Sequence, residues 1–268
     1  MNLIRRYCLR SVTALLLLAS AGCYTNPVTG RQYAVLTSVG EEQQLGAQAF
    51  AEVKKTEKIS RDPAVNARVQ QVGKRIAAAV GNQLSGAQWE FVVFESPELN
   101  AFALPGGKVG VYTGLMELLD VDDELAAVIG HEVGHVVARH GGKRMTEATL
   151  VGLVGAAGAI AVDRKYGSQK SELFLLAYGG LSTVGYVLPH SRGDESEADL
   201  MGLQYAAAAG YDPAAAVRVW QKMAQAVGMR KMPVWLSTHP SNSQRIAALR
   251  EAAPRFHALY LANRQRYE

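Results

Sequence analysis

The sequence predicts an α+β fold, mainly α, with a small β-sheet beside one buried helix. Three observations carry this. Amphipathic helical patterns run through Glu41–Lys58 and Asp62–Val80, and helical patterns dominate after Tyr112. Between them lie three short strand-like runs, Trp89–Phe94, Ala101–Leu104 and Lys108–Tyr112, the last two joined by the turn signal Pro105-Gly106-Gly107. The middle of the segment from Asp122 to Gly142 is apolar nearly all round, the pattern of a buried helix.

Composition narrows the class. Hydrophobic residues are 49% and charged residues 19% of the 268, a globular balance that excludes disorder. The 26 Gly and 9 Pro follow no repeat period, which excludes collagen-like and low-complexity scaffolds.

The first 22 residues read as an export signal. Arg5, Arg6 and Arg10 precede an apolar run from Val12 to Ala21 that is too short to span a bilayer, and small residues follow. Cys23 comes next. The stretch Ala19-Ser20-Ala21-Gly22-Cys23 resembles a bacterial lipobox, with Ser20 where a Leu is usual, so Cys23 is the expected lipidation site. The other cysteine, Cys8, lies inside the signal, so the processed chain cannot form an internal disulfide. Without the signal, 25 basic residues face 24 acidic ones. That near-neutral balance provides no electrostatic footprint for nucleic acid. Tyr24 follows the cysteine, not the Asp that typically retains lipoproteins at an inner membrane. The expected location is therefore a bacterial envelope, with an outer-membrane anchor facing the periplasm. Residues 23–40 read as a lipid-anchored tether and 41–268 as a single domain.

Asp62 before Pro63 marks a helix start. Two glycine- and alanine-rich runs without charge, Thr149–Val162 and Leu173–Leu188, fall short of a spanning length. Packed core helices and a membrane-facing hairpin are both open readings of them.

The chemistry lies in His131-Glu132-Val133-Gly134-His135. Acids at 122–124 open this helix, where the dipole favours negative charge, and Gly141-Gly142 offers an end. Histidines four apart share one face and can grip one ion. Glu132 lies about 100° around the helix, next to the ion and free to accept a proton from the attacking water. That is the H-E-x-x-H arrangement of zinc hydrolases. His140 does not fit the longer pattern that would make it a third ligand; it reads as a helix-end residue compatible with the dipole.

A third ligand is expected from the acidic cluster Asp194, Glu195, Glu197 and Asp199. Glu195 shares a face with Ala198, Asp199, Gly202 and Ala206, small enough to let that helix dock closely. Asp199 can orient an imidazole from behind. Asp194 and Glu197 have an alternative use as a capping pair.

His-Glu-Val-Gly-His followed about 60 residues later by Glu-Ser-Glu-Ala-Asp resembles metallopeptidase family 48, whose members include HtpX-like and CAAX prenyl proteases. The resemblance covers roughly residues 40–252. It implies a zincin, gluzincin-like fold, one zinc per chain, Glu195 as third ligand and Asp199 as its support. Asn100–Gly107 and the stretch Thr238-His239-Pro240-Ser241 to Arg245-Ile246 also resemble family segments. Those relatives have clear spanning helices; this chain resembles an exported, lipid-anchored branch, and prenylated substrates are not implied.

The expected function is a zinc endopeptidase at a bacterial membrane, cleaving misfolded or membrane-associated polypeptides. The alternative is a chaperone or assembly factor whose zinc site is structural or self-blocked. His239 separates them: near the metal it can close the site or stabilise an oxyanion, and elsewhere it is a loop residue. Arg245 is expected to hold that loop or the acidic cluster. Ser241 is expected to cap the next helix.

Overall fold

The computed structural model describes residues 22–166, 168–170, 190–226, 234–239 and 243–267. The chain divides into two compact units, Met1–Val39 with Gly141–Leu188, and Gly40–His140 with Pro189–Glu268.

The second unit begins with two helices, α1 (Val39–Thr56) and α2 (Pro63–Val80). As expected, Asp62 caps α2, its Oδ1 accepting from Ala64 N at 2.8 Å and Val65 N at 3.2 Å, with Pro63 at the first helical position. Val69, Val72, Gly73, Ile76 and Val80 form its buried stripe.

The strands β3 (Glu90–Phe94), β4 (Ala101–Leu104) and β5 (Lys108–Tyr112) make one sheet of order β3-β5-β4. β5 is central, parallel to β3 and antiparallel to β4, with Gly110 opposite both Val92 and Phe102. A Cβ at Gly110 would fall 2.4 Å from the Phe102 ring, so glycine makes room there for the stacked Phe94 and Phe102. Gly106 and Gly107 turn the β4–β5 hairpin at φ +85° and +82°, a region that glycine enters without strain.

Helix α3 (Thr113–Leu118) leads into α4 (Asp122–Val137), in which every residue from Glu124 to Val137 is buried. One face of α4 packs on β4 and others on α2 and on α6 (Arg192–Ala208). The α4–α6 contact depends on small residues. A Cβ on Gly202 would lie 2.9 Å from the His131 backbone nitrogen, and one on Gly134 would lie 3.0 Å from the Ala198 carbonyl. Helices α7 (Ala215–Ala226), α8 (Val234–Thr238), α9 (Ser243–Ala252) and α10 (His257–Arg264) complete this unit.

Gly141 and Gly142 do not end the buried helix. Arg139 does, at φ +53°, with its guanidinium paired to buried Glu42 at 2.7 Å. The ion pair holds the non-glycine residue in a left-handed turn. The two glycines fall inside the next helix, α5 (His140–Tyr166). Nor do Asp194 and Glu197 cap α6: Ser191 Oγ accepts from Asp194 N at 3.2 Å, and both acids are buried.

In the first unit, β1 (Cys23–Thr25) pairs with β2 (Gln32–Ala34) within the stretch read as a tether. Asn26 Oδ1 organises the turn by accepting from Val28 N at 2.8 Å. Leu36 N donates to Thr146 Oγ1 on α5 at 2.8 Å. Thr149–Val162 is not a packed core helix here. It lies within the 27-residue α5 and exposes Leu150, Leu153, Val154 and Ile160. His140–Lys165 is long and apolar enough to cross a membrane by length and composition. The second apolar run, Leu173–Leu188, lies outside the described residues.

Candidate active site

Helix α4 carries His131 and His135 on one face, and their Nε2 atoms stand 3.1 Å apart. Close docking of α6 brings Glu195 to them, Oε1 at 3.3 Å from His135 Nε2 and Oε2 at 3.6 Å from His131 Nε2. His239, which follows α8, sets Nδ1 3.2 Å from His131 Nε2 and 3.0 Å from Glu195 Oε1. These four buried residues offer ligand atoms all within 4.8 Å of one another, a cluster that can hold one metal ion. Three imidazoles and a carboxylate are a donor set that suits tetrahedral zinc.

The ionic surroundings match that use. Burial pushes the His135 pKa well down, against the raising effect of Glu195, so the ring is neutral as a metal ligand must be. Burial alone would raise Glu195, but its bonds to His135 and His239 hold the carboxyl far below the usual range. His239 lies between two carboxylates. Burial lowers its pKa, yet Glu132 and Glu195 outweigh that and raise it.

Asp199 stands behind His131, Oδ1 at 3.0 Å from Nδ1. Arg245 clamps Asp199 through Nε at 2.6 Å and Nη2 at 2.7 Å, and also reaches Glu195 Oε2 at 2.5 Å. The guanidinium carbon also lies 3.6 Å from the centroid of the Trp220 ring. Burial would raise Asp199, but Arg245 and His131 hold it low. Arg245 therefore binds the acidic cluster. Glu132 is not one of the four donors but adjoins them: Trp235 Nε1 donates to its Oε1 at 2.6 Å, and His239 Nε2 stands 3.4 Å from the same oxygen.

His131, Glu132, His135, Glu195, Asp199, His239 and Arg245 thus come together. His239 is buried at 4% exposure, which removes it from any surface loop. Ser241, expected as a helix cap, lies outside the described residues. Cys23 is exposed and belongs to the first unit.

Sequence reasoning missed two features. Trp235 holds Glu132 and stacks on Trp220 at 4.6 Å; its position four residues before His239 was the available signal. His140 is fully buried, with Nδ1 2.8 Å from His135 Nδ1 and Nε2 3.0 Å from Glu197 Oε2. It is not the end of α4 but the first residue of α5, because the turn at Arg139 lies between them and folds His140 back onto the site.

The family described as Peptidase family M48 matches residues 63–253. The chain belongs to this family. M48 membership agrees with the mainly helical fold and small sheet. The mitochondrial metalloendopeptidase OMA1 of Schizosaccharomyces pombe is 40% identical over 187 residues, 69% of this chain and 52% of that protein. The mitochondrial metalloendopeptidase OMA1 of Bos taurus is 35% identical over 245 residues, 85% of this chain and 46% of that protein. The beta-barrel assembly-enhancing protease of Escherichia coli K12 is 27% identical over 233 residues, 85% of this chain and 47% of that protein. The chain spans about half the length of these curated relatives.

Proposed function

We propose that this M48 chain is a zinc-dependent endopeptidase of the bacterial envelope, with His131, His135 and Glu195 as ligands and Glu132 as general base. One observation carries the reading. A carboxylate on the ligand-bearing helix is buried beside the four-residue donor cluster and held there by an indole N–H. Zinc at this cluster supplies a Lewis acid for the scissile carbonyl and makes the attacking water more acidic. Glu132 accepts the water's proton and returns it to the leaving amine. Asp199, held by Arg245, keeps His131 in the tautomer that exposes Nε2. β4 is an outer strand packed along α4, so an extended polypeptide can pair with it through main-chain hydrogen bonds. Such pairing is largely blind to sequence and suits unfolded substrates. The name of the Escherichia coli relative, beta-barrel assembly-enhancing protease, supports β-barrel proteins during assembly as a substrate class.

His239 supports a second reading. A fourth protein donor closes a tetrahedral site and leaves no position for water. Either His239 withdraws during turnover, or the zinc is structural and the chain serves envelope assembly as a chaperone. The test compares wild type, Glu132→Gln and His239→Ala, each metal-replete, on an unfolded protein with and without a zinc chelator. The endopeptidase reading expects Glu132→Gln to retain zinc and cleave about 10²–10⁴-fold more slowly. It expects His239→Ala to retain zinc and cleave faster than wild type. A loss of about 10²–10³-fold in His239→Ala would make this residue an oxyanion donor instead. Absence of chelator-sensitive cleavage in both wild type and His239→Ala would favour the structural zinc.

The envelope location rests on the signal-like residues 1–22 and on Cys23, which is exposed and available for acylation. Cys23→Ala is expected to move the protein from the membrane fraction to a soluble or unprocessed form. Mass spectrometry finding unmodified Cys23 in the processed protein would remove the lipid anchor.

A further inference from the structure

We infer that His140 and Glu197 form a hydrogen-bonded relay that orients His135, making His140 a positioning residue of the metal site. The inference rests on His135 being a zinc ligand, as proposed above.

The two ligating histidines are supported differently. His131 has a carboxylate directly behind it, Asp199 Oδ1 at 3.0 Å from Nδ1. Behind His135 there is another imidazole, with His140 Nδ1 at 2.8 Å from His135 Nδ1. The carboxylate comes one step later, Glu197 Oε2 at 3.0 Å from His140 Nε2, with Asp194 Oδ1 at 3.7 Å. All four supporting residues, Asp199, His140, Glu197 and Asp194, are buried.

The geometry determines the protons. His135 Nε2 faces the donor cluster, 3.1 Å from His131 Nε2 and 3.3 Å from Glu195 Oε1, so it is the metal-facing nitrogen and carries no proton. Neutral His135 then carries its proton on Nδ1. At 2.8 Å, His140 Nδ1 must accept that proton's hydrogen bond, because two N–H groups cannot face each other. The proton of neutral His140 is therefore on Nε2 and points at Glu197. Donors and acceptors alternate along the chain, and the ring plane of His135 is pinned from the side opposite the metal-facing nitrogen.

The turn at Arg139 makes this contact possible. In one continuous helix, positions 135 and 140 would point about 140° apart. The left-handed Arg139, φ +53°, breaks the helix between them and returns His140 to His135.

The experiment uses the full chain in detergent and reads zinc content, zinc affinity by chelator competition, the visible spectrum of the cobalt form, and unfolding of the metal-free protein. His135→Ala is the control: retention of its zinc would refute the ligand assignment itself. His140→Leu and His140→Asn have similar shapes, but only Asn presents an acceptor where Nδ1 stood. His140→Leu is expected to weaken zinc binding about 10- to 100-fold and shift the cobalt spectrum. His140→Asn should recover most of the affinity, with metal-free stability alike in the two. If neither variant folds, Glu197→Gln decides, with about tenfold weaker zinc binding expected. Wild-type affinity and spectrum in His140→Leu, or in Glu197→Gln where that variant decides, would overturn the relay. Equal losses in Leu and Asn that track metal-free stability would overturn it in favour of plain packing. Two metal ions per wild-type chain, one of them lost in Glu197→Gln, would overturn it by making His140, Asp194 and Glu197 a second metal site.

Discussion

Helices α4 and α5 are neighbours in sequence and alike in composition, both rich in valine, alanine and glycine, yet they meet opposite surroundings. From Glu124 to Val137, α4 is wholly buried, and its glycines are contact points: a Cβ on Gly130 would lie 3.0 Å from the Gly202 carbonyl. In α5, Leu153 and Val154 are 62% and 64% exposed, and a Cβ on Gly152 would meet nothing within 4 Å. A run of small apolar residues therefore has no meaning until its partner is known. In α4 the matching small residues of α6 allow two backbones to approach, which brings Glu195 within reach of the histidines. In α5 the same residue types present an exposed apolar face.

The largest effect should come from α4 and its partner. His131→Ala and Glu195→Ala are expected to lose zinc almost completely by metal analysis, since each removes one of the three proposed ligands. Full zinc in Glu195→Ala would transfer the third ligand to another member of the acidic cluster. A smaller effect is expected at the docking surface. Gly202→Val drives side-chain atoms against the His131 backbone nitrogen, 2.9 Å from the first added carbon, and should cost about 1–3 kcal/mol in thermal unfolding. It should also weaken zinc binding, because α6 carries Glu195. The comparison would break if Gly202→Val were neutral in both readouts. The smallest effect belongs to α5. Gly152→Ala adds a methyl in open space and removes a flexible residue from a helix interior, so it should stabilise by about 0.5–1 kcal/mol. A destabilisation there would mean that the face is covered.

Much of the site was legible because the chemistry is local. Histidines at i and i+4 share a helix face whatever surrounds them, and Glu132 follows from the same pitch. Asp62 and Pro63 marked a helix start that depends only on adjacent backbone groups. Glu195 and Asp199 were distinguished from Asp194 and Glu197 by their small-residue face and by the family resemblance. The end of α4 was misread for a physical reason. Glycine is the usual residue in a left-handed turn, but the buried Glu42 pairs with Arg139 and holds it there, and Glu42 lies 97 residues away in the chain. The length of α5 was underestimated because only its charge-free run was counted, while the helix extends into charged residues at both ends.

By itself the sequence determined the element types and the two histidines with the acid beside them, because these follow from spacing along single elements; the acidic helix was singled out only with the help of the family resemblance. Tertiary structure decided which distant groups meet. It brought His239 into the ligand cluster, Trp235 to Glu132, Arg245 to both Asp199 and Glu195, and His140 between His135 and Glu197. Those contacts depend on turns and helix crossings, which set distances between residues that no local periodicity relates.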